Sequence, residues 1–281
     1  NLLLSELLYK NDYEQTNRSE LLEAVAYYDS VFNPFLAARA HYINGVGYYE
    51  HDSVVPACVE YLKAAEIMEE SFSKEDLVGQ KAQFMALTYT HLCALFSNQY
   101  LHEQAIYLGK QAVFYYDQYD ATPWHKAWIL DEIGLQYALT KRLDSASFYC
   151  DRAIMFLPDT NNQSYRDISA LCTVLSYNKG ETSQETLKRL RYLFFMAESP
   201  QEQLARCLNI SEIYFHEKKY DSAWVYLIKV FNESTNIDSR KQAAEWLVEI
   251  CKFQGKNPEI YADFLIPFAN KEENKSAIKS Q

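Results

Sequence analysis

The chain has 281 residues, a formal net charge of −11 and a sequence pI near 5.1. Apolar residues make up 48% of it, enough for a large core, while Gly and Pro number only 7 each, too few for the turns of a many-stranded β protein. The negative field disfavours nucleic acid and anionic membrane surfaces, and no run of 18 apolar residues offers a membrane span.

The chain opens on Asn1 without an initiator methionine and shows no signal peptide, so it reads as a trimmed or processed piece. Leu2, Leu3, Leu7 and Leu8 suit one helical turn packing on the first repeated unit. Asn17 or Ser19 is placed to cap a helix carrying Leu21, Leu22, Val25, Tyr28 and Phe32 at helical spacing. Asn33-Pro34 ends it, because the residue before proline avoids the α region.

From Ala38 to Ala64 two helices are predicted around the break HDSVVP, with Pro56 opening the second. Gly45 and Ala57 are small where helices must approach closely; Tyr48 and Tyr61 fill the adjacent gaps. Ala86 to Ala112 repeats the scheme with Cys93, Phe96, Ala105 and Gly109, the glycine standing where the first unit has Tyr61. Ala127 to Pro158 is the clearest copy, with Gly134, Tyr137, Ala146, Cys150 and Ala153 at the same offsets. The steps from Ala57 to Ala105 and from Ala105 to Ala146 are 48 and 41 residues, which suits helices lengthened by whole turns.

Residues 165–198 form a degenerate fourth pair. Ile168, Leu171, Cys172 and Leu175 mark one helix, Gly180 the turn, and Thr182 or Ser183 the cap of the next. Leu204 to Val230 is a fifth pair, with Ser211, Tyr214, Ala223 and Leu227 at the landmark positions. Helices over about 239–252 and 258–269 come next, then a charged, frayed tail at 271–281.

These landmarks, W…LG…Y…A…F…A…P over a helix–turn–helix of ~34 residues, resemble the tetratricopeptide repeat (TPR) family. The resemblance covers most of residues 38–230, although the Trp and Pro landmarks are mostly missing. It implies an all-α fold: a right-handed α-solenoid of antiparallel helix pairs, about five repeats plus terminal helices, forming a single domain over 1–270. LLEAVAYYDS followed by ARAHYINGVGYYEHDS is similar to bacterial TPR proteins of signalling and transcriptional regulation. In those an extracytoplasmic TPR region often precedes a membrane helix, which implies a periplasmic setting; a cytoplasmic peptide-sensing regulator and an architectural adaptor are the alternatives.

No catalytic motif is complete. His102-Glu103 lacks the second histidine of a zincin helix, and Leu108-Gly109-Lys110 lacks the lead and hydroxyl of a phosphate loop. Gly45-x-Gly47 lies inside a helix, and no G-x-S-x-G elbow occurs. The six cysteines form no C-x-x-C pair and sit in apolar helical runs, as small buried hydrophobes do. No enzyme activity, metal or cofactor is expected; a peptide, protein or small ligand held on the concave face is.

In TPR proteins the first helix of each unit lines the inner, binding face. Carried over, this implies Arg39, Tyr42, Val46 and Tyr49 in the first unit, and Thr90, Ala94, Ser97 and Asn98 in the second. The third supplies Trp128, Asp131, Leu135 and Ala138, and the fifth Asn209, Glu212 and Phe215. Of the family's two-carboxylate clamp only Asn98 has a counterpart, so binding of chaperone C-termini is disfavoured.

Overall fold

The computed structural model describes residues 2, 6, 18–31, 33–157, 159 and 161–279, with the backbone alone at 18–20 and 270–279. Among the described residues there are thirteen named helices and no strand. The chain divides into two compact units, Asn1–Leu157 and Pro158–Gln281.

In the first unit α1 (Arg18–Ser30) precedes three helix pairs: α2 (Pro34–Glu50) with α3 (Val54–Ser71), α4 (Gln80–Asn98) with α5 (His102–Tyr116), and α6 (Pro123–Leu139) with α7 (Leu143–Met155). The second unit holds the pairs α8 (Gln163–Asn178) with α9 (Ser183–Met196) and α10 (Pro200–His216) with α11 (Tyr220–Glu233). It closes with α12 (Ile237–Gln254) and α13 (Glu259–Lys279).

Starts are set by local chemistry. Asn33 caps α2, its side chain accepting from Leu36 N, and Pro34 comes next with φ already suited to a helix. Thr182, Ser199 and Asn236 cap α9, α10 and α12 in the same way.

The turns inside the five pairs share one hydrogen-bond scheme. Ser53 N donates to Tyr48 O, Leu101 N to Phe96 O, Arg142 N to Tyr137 O, Glu181 N to Ser176 O and Lys219 N to Tyr214 O, all at 2.9–3.0 Å. The residue before each donor has positive φ: Asp52 at 54°, Tyr100 at 57°, Lys141 at 61°, Gly180 at 107° and Lys218 at 56°. This is the Schellman closure, which satisfies the last carbonyls of a helix by one left-handed residue. Four of the five positions are not glycine, at a cost of roughly 1–2 kcal/mol each.

Packing across each pair follows the small-residue pattern. Ala57, Ala105, Ala146 and Ala223 are 0% exposed. A Cβ placed on Gly134 would meet Cys150 Sγ at 2.8 Å and Ala146 O at 3.3 Å. In the middle pair the volume is exchanged: Cys93 on the first helix faces Gly109 on the second. Gly109 is there because Ile133 of α6 also needs that space; a Cβ would stand 2.7 Å from its Cγ1.

Several expectations need adjustment. The long step from Ala57 to Ala105 is divided between longer helices and the connection 72–79, pinned by buried Leu77. In α1 Leu21 and Ala24 are buried while Leu22 is exposed, so the inward stripe is narrower than its leucines suggest. Cys58 and Cys172 are half-buried, and the other four cysteines are buried. The penultimate helix is longer than 239–252, and the last continues to Lys279 past the expected fraying point. Its segment NKEENKSAIK has good helix formers and neither Gly nor Pro. Leu3, Leu7, Leu8, Asn17, Phe32 and Pro158, with Ser280 and Gln281 of the tail, lie outside the described residues.

Candidate functional site

In the first unit the first helices of two pairs, α2 and α4, enclose a cavity of about 150 Å³. Phe35, Arg39, Tyr42 and Ile43 line it from α2; Gln80, Gln83, Phe84 and Leu87 line it from α4; Glu6 completes it. The α2 residues recur at i, i+4 and i+7, which places them on one side of the helix. The cavity therefore joins apolar side chains with two side-chain amides and one guanidinium–carboxylate pair.

Arg39 is half-buried. Its Nε donates to Glu6 Oε1 at 2.6 Å and its Nη2 to Oε2, a two-pronged pair. Its guanidinium also stands 5.6 Å over the Phe35 ring. Tyr42 is 5% exposed and belongs to an aromatic cluster with Tyr61, Phe84 and His91, at centroid distances of 5.3–5.6 Å among its contacts. Burial pushes the His91 imidazole down to about 4, so this ring is neutral and acts as one more packed aromatic.

The other residues expected on the inner face in this unit lie outside the cavity. Thr90 is half-buried, with its Oγ1 3.2 Å from Tyr116 Oη. Tyr49 and Asn98 are exposed near the last turns of α2 and α4. Trp128 and Asp131 are half-buried on α6. Ser97 is drawn into a polar junction instead: Gln136 Nε2 donates to Ser97 Oγ and to Glu132 Oε1, each at 2.8 Å, and Gln136 Oε1 lies 2.7 Å from His102 Nδ1. This junction ties α4, α5 and α6 together, and Gln136 is 1% exposed.

In the second unit Asn209 and Glu212 are half-buried on α10. Asn209 Oδ1 accepts from Arg206 Nη1 at 3.4 Å. Burial pushes the Glu212 carboxyl up to about 7. Nearby, Arg166 of α8 is fully buried and paired with Glu202 of α10, Nε to Oε1 at 2.6 Å and Nη2 to Oε2 at 3.0 Å. Arg206 donates to Asp167 and stands 3.9 Å from Glu202. Glu202 also accepts from Glu198 N. Burial alone would raise its pKa; the Arg166 bonds, the Glu198 N–H and the two arginine charges outweigh that and hold it below the usual carboxylate range.

Sequence reasoning missed Gln80, Gln83, Phe84 and Leu87 as cavity residues. The signal was available: 83, 87, 90 and 94 run at helical spacing, so the face that includes Thr90 extends back toward the start of α4. The buried Arg166–Glu202 pair was also missed, since in sequence it looks like ordinary surface charge.

Among the described residues no group of three His, Cys, Asp or Glu is arranged to hold a metal, and no helix is long and apolar enough to cross a membrane. No protein-family model matches the sequence, and no curated protein is significantly similar to it. Solved structures do match. A tetratricopeptide repeat protein from Parabacteroides merdae has a TM-score of 0.61 and 15% identity, covering 94% of this chain and 95% of its own. The apo form of the quorum sensor NprR from B. thuringiensis has a TM-score of 0.63 and 15% identity, covering 92% and 77%. YrrB, a TPR protein with an unusual peptide-binding site, has a TM-score of 0.50 and 13% identity, covering 82% and 100%.

The helix pairs and their neighbours define the class: an all-α, TPR-like solenoid fold. The chain resembles the TPR proteins in fold, as its landmark residues indicate.

Proposed function

We propose that the chain is a non-catalytic binding module, the sensory part of a bacterial regulatory protein, that recognises a peptide or protein segment on the inner face of its first helices. The observation that carries this is the α2–α4 cavity, where Arg39 and Tyr42 meet Phe84 and two glutamines. An apolar hollow with a few convergent polar groups is the usual form of a ligand site. Among structures of similar fold, NprR is a quorum sensor and YrrB has a peptide-binding site, which supports the same reading. Thr90, Asn98, Trp128 and Asp131 would extend contact along the first unit, and Asn209 and Glu212 would serve the second.

The test is a random peptide library panned on the protein, with the best binder measured by calorimetry. Arg39→Glu or Asp131→Lys should weaken it about tenfold or more while helicity is unchanged. Unchanged affinity in both variants sinks the inner-face reading.

A further inference from the structure

The second helices of the first unit carry a different feature. On α3, Val55, Val59 and Leu62 are exposed and recur at i, i+4 and i+7. On α5, Tyr107 and Phe114 are exposed one heptad apart. A solvated helix face is normally polar, so two apolar stripes on helices of adjacent repeats are unusual.

Between them lie two hollows of about 620 and 530 Å³. Val59, Leu62, Ala65 and Tyr89 line the first; Phe72, Leu77, Tyr107, Phe114 and Tyr115 line the second. Glu69 lines both. Its carboxylate is held in place, because Tyr89 Oη donates to its Oε1 at 2.5 Å and Tyr89 is stacked on Tyr115 at 5.8 Å. The result is one positioned negative charge between two hollows, the first mainly apolar and the second lined by apolar side chains together with Lys74 and Gln111.

Carboxylates outnumber ammonium groups around this groove, with Lys81 Nζ standing 3.8 Å over the ring of Phe72 that lines it. Glu66, Glu69 and Glu70 line it against Lys63 and Lys74, and Lys63 is engaged with Glu66 at 2.8 Å. Glu75 and Asp76 lie on the connection beside it. The chain as a whole is at −11. A stretch of one heptad is about 10 Å of helix, so the apolar residues on either wall match the spacing of side chains on a helix laid along the groove.

We propose that the α3–α5 groove docks a basic amphipathic helix of a partner protein. Its apolar side chains enter the two hollows, and a lysine or arginine between them meets Glu69. This site is separate from the inner-face cavity, and neither depends on the other. The net negative rim disfavours an anionic membrane or nucleic acid.

The probe is a labelled 18-residue leucine–lysine peptide designed as an amphipathic helix, with a scrambled peptide of the same composition as control. Fluorescence anisotropy with the whole chain should show binding of the first at least tenfold tighter than of the second. Glu69→Lys and Leu62→Asp should each weaken it about tenfold and Glu69→Gln by less, with circular dichroism unchanged. Equal binding of the scrambled peptide overturns the proposal, since net charge alone would then suffice. So does unaltered affinity in Glu69→Lys and Leu62→Asp. Sedimentation that shows a dimer lost in Leu62→Asp, without peptide binding, assigns the groove to a second copy and also overturns it.

Discussion

Gly45 stands against the face of Tyr61: a methyl group placed on Gly45 would lie 2.9 Å from ring atoms Cδ1 and Cε1, and 3.3 Å from Ala57 O. Tyr61 is 0% exposed, so its ring has no room to retreat. In an exposed helix Gly→Ala gains about 1 kcal/mol. Here overpacking costs roughly 1–3 kcal/mol and reverses the sign. Gly45→Ala is expected to lower stability by about 1–2 kcal/mol in urea denaturation. Adding Tyr61→Leu should return part of the loss, because it frees the space the methyl needs. A neutral or stabilising Gly45→Ala would mean the α2–α3 crossing is looser than described.

Glu202 sits between two buried guanidiniums, Arg166 at 1% and Arg206 at 3% exposure. Removing it strips Arg166 of its two-pronged partner in a dry site while Arg206 keeps Asp167, and breaking such a buried pair costs about 3–5 kcal/mol. Glu202→Ala should therefore be among the most damaging changes in the second unit. The pair Glu202→Ala with Arg166→Met should recover much of that loss, since an apolar replacement needs no counter-charge. Chemical denaturation of the three variants against the parent checks both statements.

His41 connects three helices through its ring. Nδ1 lies 2.6 Å from Glu60 Oε2 of α3, and Nε2 lies 3.1 Å from Asp29 Oδ1 of α1. Both nitrogens face carboxylates, an arrangement satisfied only by the protonated imidazole. Burial alone would lower its pKa; the bond and charge of Glu60, then those of Asp29, outweigh that and raise it. A raised folded pKa means that the full contribution is present below the unfolded value of about 6.5. It is lost as pH rises through the folded value. Denaturation midpoints should thus fall on going from pH 6 to pH 9, and His41→Gln should flatten that slope. An equal slope in the variant would show that other groups dominate.

The repeat frame was legible because close helix crossings demand small residues, and Gly45, Ala57, Gly134 and Ala146 mark them in the sequence. That Arg39 and Tyr42 share one side of α2 was legible for the same reason: once the crossing side of α2 is known, the remaining sides are set by helical spacing, and both residues line the α2–α4 cavity. What the pattern does not encode is partnership between distant polar side chains. Arg39 with Glu6, Arg166 with Glu202 and Gln136 with Ser97 are separated by 33–39 residues and obey no local rule. Nor does composition reveal that Leu22 and Leu62 point outward, because an exposed leucine and a buried one are the same letter. The turns were legible only as polar breaks, since aspartate, tyrosine and lysine occupy left-handed positions that glycine usually marks.

Those turns have a mechanical consequence. Within every pair the hairpin is closed by the same short hydrogen-bonded knot, so each pair behaves as a stiff leaf of fixed opening. The connections between leaves range from the short link 197–199 to the longer 72–79. Length differences along the chain are absorbed at these joints and in helix length, never in the knots. A residue inserted at 73–76, the exposed stretch before buried Leu77, should be tolerated like slack in a hinge strap, whereas one inserted at 51–53 would unfasten the leaf itself.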